Sequence, residues 1–157
     1  MAPSQTRIHA EIGRLIARLG RIWRRESDQV LSDHRLSYAT AIPLLVLSRQ
    51  GETVRQGVLA DELGIEGPSL VRLIDLLQAE GLVERREDPT DRRAKTLHLT
   101  ASGEAKVEEI NRVLRRVRAS LLKDIGSEEL ALTFETLQRI EQRASRLHEA
   151  KNVSEAK

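Results

Sequence analysis

The sequence predicts a mostly α-helical chain carrying one small β-hairpin, on three observations. Apolar residues recur every three or four positions near both ends, at Ile8, Ile12, Leu15, Leu19 and Ile22 and again at Val107, Ile110, Leu114, Val117 and Leu121. That spacing lines one face of a helix. In the middle, Gly64 and Gly67-Pro68 punctuate two short apolar segments, as a tight turn between two helices requires. After Gly81 the period becomes alternating, with Leu82-Val83 and Leu97, Leu99 on either side of a charged stretch, the pattern of two strands joined by a polar tip. Helix, turn, helix, hairpin is the order of a winged helix-turn-helix. It is expected over residues 36–100 of a single domain spanning 1–157, with long helices over 7–32 and 101–150 outside it.

The first helix runs from about Arg7 to Leu31, with arginines between its apolar positions, and Ser32-Asp33-His34 breaks it. A second apolar segment follows from Leu36 to Ser48, where Pro43 either kinks the helix or marks its first turn. Gly51-Glu52-Thr53 is a turn, and Gly57 opens the next element. In the two-helix unit, Ala60 and Gly64 lie four apart, small enough for a close crossing, and glycine accepts the positive φ of a sharp turn. Pro68 suits the first turn of the following helix, where its missing N–H is not needed. Leu70, Leu73, Ile74 and Leu77 form that helix's buried stripe, and Gly81 caps its end. After the hairpin, Thr100 or Ser102 caps the next helix, whose apolar positions make the narrow seam of a helix packing along another. Gly126-Ser127-Glu128-Glu129 separates it from a last helix bearing Leu130, Phe134, Leu137, Ile140, Ala144 and Leu147, and Asn152–Lys157 reads as a polar, frayed tail.

Composition narrows the function. The 157 residues carry 26 Lys+Arg and 24 Asp+Glu, a net charge of +2, so bulk charge is no route to nucleic acid and any affinity rests on a few placed arginines. The absence of cysteine removes disulfides, Cys-ligated zinc and thiol redox sensing. No signal-peptide core precedes the first helix and no apolar run approaches the ~20 residues of a membrane span. A cytoplasmic protein is expected, nucleoid-associated when bound to DNA. His9, His34, His98 and His148 show no ligand spacing, so no metal is expected. Without a phosphate-binding glycine loop, a nucleophile elbow or a cofactor motif, neither catalysis nor a cofactor is expected.

The chemistry instead points to double-stranded DNA. Ser69, near a helix N-terminus, is placed to hydrogen-bond a phosphate, and Arg72, one turn on, reaches a guanine edge or a phosphate. In an extended tip Asp91 and Arg93 share a face, so the carboxylate can hold the guanidinium in one rotamer for a narrow minor groove. From Arg72 to Lys95 there are six basic and six acidic residues, so local charge does not separate a DNA-reading unit from a solvated helix pair.

At these positions the chain resembles the MarR family of bacterial transcription regulators. The resemblance is carried by Leu76 to Arg85, by Asp88-Pro89-Thr90-Asp91-Arg92-Arg93-Ala94-Lys95 and by Leu99-Thr100. The run Gly64 to Arg72, with Ile22-Trp23-Arg24 and Asp33-His34-Arg35-Leu36, is similar to the SlyA branch. The resemblance implies a homodimer whose terminal helices intertwine and whose two heads read a near-palindromic promoter site. It implies that Pro68, Ser69 and Arg72 belong to the recognition helix, that Arg92, Arg93 and Lys95 belong to the wing, and that Asp91 braces Arg93. It also implies release by a small aromatic carboxylate effector. Where the SlyA branch has a His-Trp pair this chain has Thr40-Ala41, and its aromatics are Trp23, Tyr38 and Phe134. Trp23 is assigned to the dimer core. An aromatic-lined pocket is therefore poorly supplied, leaving Arg18 and Tyr38 as candidate effector ligands. The alternative function is a winged-helix protein–protein interaction module without DNA binding.

Overall fold

The computed structural model describes residues 5–155 apart from 52, 53, 89, 92 and 93, with side chains to residue 147. The chain divides into two compact units, Met1–Arg118 and Ala119–Lys157. In order it forms α1 (Gln5–Ser32), α2 (Tyr38–Gln50), β1 (Val54–Arg55), α3 (Gln56–Leu63), α4 (Gly67–Ala79), β2 (Val83–Glu87), β3 (Lys95–Leu99), α5 (Ala101–Leu121) and α6 (Ser127–Glu155). This is a mostly helical chain with a small antiparallel sheet, the winged-helix arrangement with long terminal helices.

Within the first unit, α1 buries only Ser27 and Leu31. It stops where Arg35 takes a positive φ of 58° and Leu36 N–H returns to the Leu31 carbonyl at 2.9 Å. Two side chains then start α2. Ser37 Oγ accepts from Thr40 N–H at 3.1 Å, and Asp28 Oδ1 accepts from Tyr38 N–H at 2.8 Å, satisfying donors that a helix start leaves open. Thr40, at one of the two departures from the SlyA pattern, is drawn into this cap through its hydroxyl. Pro43 is buried inside α2, past its first turn, and the helix continues to Gln50.

The three strands order β1-β3-β2, all antiparallel. β2 and β3 lie where the alternation predicts. β1 was not expected; two residues are too short for any period to show. It pairs Val54 with Leu97 and Arg55 with Thr96. The core beneath joins Leu31, Leu44, Leu59, Leu70, Ile74, Leu77, Leu97 and Ile110, each at most 1% exposed, and each contributing roughly 2 kcal/mol of apolar burial. Gly64 and Gly81 end α3 and α4 with φ of +62° and +70°, the left-handed turns expected of those glycines. Thr100 is the cap of α5, its Oγ1 accepting from Gly103 N–H at 3.0 Å and donating to the Gly81 carbonyl at 2.6 Å.

In the second unit α6 begins with Glu128 and Glu129 in its first turn, where carboxylates complement the helix dipole. The helix continues to Glu155, through part of the segment expected to fray. Leu132, Phe134, Leu137, Ile140 and Leu147 are exposed along it.

Candidate nucleic-acid interface

α4, the expected recognition helix, separates a buried face from an exposed one. Leu70, Ile74 and Leu77 are fully buried and Leu73, expected in the same stripe, is half-buried, whereas Pro68, Ser69, Arg72 and Asp75 are exposed. Pro68 stands in the first turn. Glu66 contributes no side-chain cap there, which leaves that turn without a carboxylate closing it. Arg72 has no ion-pair partner among the described residues, so its guanidinium is available to an external anion.

A residue that the sequence pattern did not single out fixes this helix to the wing. Arg85, on β2, donates through Nη1 to Asp75 Oδ1 at 2.6 Å and to Gln78 Oε1 at 2.5 Å, and through Nη2 to the Val71 carbonyl at 3.4 Å. One guanidinium thus grips α4 at three points along its outer edge. The five-donor fork of arginine suits this and the single ammonium of lysine does not. Asp75 belongs to this brace as well as to the exposed face.

The hairpin tip is organised by a carboxylate. Asp88, 4% exposed, accepts on Oδ1 from the Thr90 hydroxyl at 2.6 Å, from Thr90 N–H at 2.8 Å and from Asp91 N–H at 3.2 Å. On Oδ2 it accepts from Arg55 Nε at 2.7 Å. The Thr90 hydroxyl, the Thr90 amide and Arg55, in that order, hold the Asp88 carboxyl far below the usual carboxylate range. Lys95, expected to face DNA, is paired across the hairpin with Glu87 at 3.2 Å. Arg86 pairs with Glu84. Arg92 and Arg93 lie outside the described residues, and with them the expected brace from Asp91 to Arg93.

The effector candidates do not meet. Tyr38 lines a cleft of about 250 Å³ between α1, α2 and α5, together with Trp23, Ser27, Ile42, Asn111 and Arg118. Ser27 Oγ is buried there without a hydrogen-bond partner, and Arg118 Nη2 donates to Asn111 Oδ1 at 3.3 Å. Arg24 sits 5.4 Å from the Tyr38 ring centroid, close enough for a cation–π contact. Arg18 opens instead on a separate groove of α1 with Arg21, Ile22 and Arg25. The cleft therefore supplies Arg49 and Arg118 as its basic residues, neither of which the sequence pattern distinguished. Trp23, expected in a dimer core, is half-buried in the cleft wall. Among the described residues no group of three His, Asp or Glu is placed to hold a metal, and no helix is long and apolar enough to cross a membrane.

A family model described as MarR family matches residues 36–94, which runs from the start of the second helix to the wing. The chain is similar to the transcriptional regulator PA3341 at 38% identity, over 86% of this chain and 98% of that one, with a TM-score of 0.78. It is similar to the transcriptional regulator BldR from Sulfolobus solfataricus at 27% identity, over 90% and 99% of the two chains, with a TM-score of 0.79. A mutant MarR from E. coli complexed with operator DNA has the same fold, with a TM-score of 0.71 at 24% identity over 88% and 99%.

Proposed function

We propose, from the premise that the chain belongs to the MarR family of transcription regulators, that it reads near-palindromic promoter DNA as a homodimer. The observation that carries this reading is the exposed face of α4. Ser69 stands at its first turn and Arg72 one turn on, with no internal partner for Arg72 among the described residues, and Arg85 holds that face in register with the wing. A helix N-terminus offers phosphate its free N–H groups, and an uncommitted arginine beside it can read a guanine edge. Arg92 and Arg93, in the wing sequence, add the basic groups that a hairpin lays on the flanking groove. That a related MarR from E. coli is found with operator DNA supports the same use here.

The homodimer is supported by two helix faces. On α1, Ile8, Ile12, Leu15, Ile16 and Leu19 are 39–52% exposed, and on α6, Leu132, Phe134, Leu137, Ile140 and Leu147 are 40–66% exposed. Stripes of this length are what an obligate partner covers. An effector of the aromatic carboxylate class would enter the cleft beside Tyr38, its carboxylate meeting Arg118 and the free Ser27 hydroxyl. Arg18 has no part in that arrangement.

The test is fluorescence anisotropy on duplex DNA enriched by the protein from a random-sequence pool. Binding should fall steeply with salt, and Arg72→Ala should weaken it by about 1–3 kcal/mol and relax the sequence preference at one position in each half-site. Salicylate added to the same titration reports on the effector. Failure to enrich any sequence, with Arg72→Ala indistinguishable from wild type, would favour a winged-helix interaction module instead.

A further inference from the structure

Arg55 stands where three parts of the reading head meet. It ends β1, pairs across to Thr96 of β3, and occupies the cap position before α3 without capping that helix through its side chain. Its guanidinium reaches instead to the loop after β2, with Nε on Asp88 Oδ2 at 2.7 Å and Nη2 on Thr90 Oγ1 at 3.2 Å. The other Asp88 oxygen gathers Thr90 and the Asp91 amide. The loop closes behind it, Asp88 N–H donating to the Ala94 carbonyl at 3.2 Å and Ala94 N–H to the Asp91 carbonyl at 2.9 Å. One carboxylate thus gathers Arg55, Thr90 and the Asp91 amide, immediately before Arg92 and Arg93 in sequence. Among the described residues, Arg55 is the side chain that ties this carboxylate to the helix-turn-helix.

We propose that Arg55 is a positioning residue for DNA recognition, setting the wing tip relative to α3 and α4 through Asp88 and not by touching DNA itself. This rests on the DNA-reading function above. A half-exposed arginine on such a head has a simpler use, a phosphate contact. Against that, Nε and one Nη are already spent on Asp88 and Thr90, and the Asp91 carboxylate adds its own field to Arg55. Arg55 is half in solvent although Asp88 is buried, so the pair is partly screened and its contribution to global stability is modest. Its effect is the placement of a short loop whose arginines must meet a groove, where a displacement of an ångström breaks a directed hydrogen bond.

The experiment uses wild-type protein, Arg55→Gln, Arg55→Lys, Asp88→Asn and Arg93→Ala, with Arg93→Ala also combined with each of the others. All are titrated by anisotropy against the enriched duplex across a salt series, with thermal melts alongside. Charge alone predicts opposite signs, since losing a cation weakens DNA binding and losing an anion strengthens it. Positioning predicts one sign: Arg55→Gln and Asp88→Asn both weaken binding roughly tenfold, while melting temperatures drop by no more than roughly 5 °C. Arg93→Ala should then cost less in either background than in wild type, because the tip no longer delivers that arginine. Arg55→Lys, which keeps the charge and loses the fork, should behave like Arg55→Gln. Asp88→Asn binding as tightly as wild type or tighter, Arg55→Lys binding like wild type, or an unchanged Arg93→Ala effect each overturns the proposal. Wild-type protein that enriches no DNA overturns the DNA-reading function and this inference with it. DNA binding that survives with no coupling overturns the inference alone.

Discussion

The α-carbon of Gly103 lies against the carbonyl oxygen of Leu82 so closely that a Cβ on Gly103 would stand 2.0 Å from that oxygen. The same oxygen accepts the Thr100 amide at 3.1 Å, so it cannot swing away without breaking the entry to α5. This contact joins Leu82, at the entry to β2, to the first turn of α5. Gly103→Ala should therefore cost about 2 kcal/mol and lower the melting temperature by roughly 4–8 °C. Gly57→Ala, at a helical glycine with nothing within 4 Å, is the control and should be neutral or slightly stabilising. Equal melting temperatures for Gly103→Ala and wild type would show that the junction yields.

Asp88 makes stability depend on acid. Its folded-state carboxyl is held below its unfolded value, chiefly by the Thr90 hydroxyl and amide and then by Arg55. A depressed carboxyl contributes in full above the unfolded pKa, near ~3.9, and the contribution drains away as pH falls below it toward the folded value. Wild type should therefore melt above Asp88→Asn at neutral pH, and the gap should close as the buffer passes below pH ~4. A gap that is constant from pH 7 to pH 3 would mean that Asp88 is held by shape and not by charge.

The exposed α1 stripe predicts a dimer that one charge disrupts. Leu15 is 52% exposed in the protomer and central to the run from Ile8 to Leu19. Leu15→Glu would place a carboxylate in a dry interface, at a desolvation cost of several kcal/mol, weakening self-association by roughly 100-fold or more. Light scattering during gel filtration checks this. A dimer that persists undiminished in Leu15→Glu would move the interface off this face.

Much of this molecule was legible from local pattern. The helical period of α1, α4 and α5, the left-handed glycines at 64 and 81, Pro68 in the first turn of α4 and the alternation of β2 and β3 each follow from short-range geometry, and each is present. The exposed placement of Ser69 and Arg72 follows from the buried stripe opposite them. Pairings across long stretches were not legible. Arg85 with Asp75, ten residues back, and Arg55 with Asp88, 33 residues on, depend on which segments the fold brings side by side. The two-residue β1 exists because β3 offers it an edge.

The effector candidates show the same division. Arg18 and Tyr38 are candidates by side-chain type alone, and the fold places them in separate cavities while putting Ser27, Asn111 and Arg118 beside Tyr38. Periodicity and turn chemistry act over a few residues, so composition and spacing along the chain were enough to specify the winged helix-turn-helix and the exposed face of α4. Ion pairs, strand edges and cleft walls arise where distant segments pack, and there the chain's order in space replaces its order in sequence.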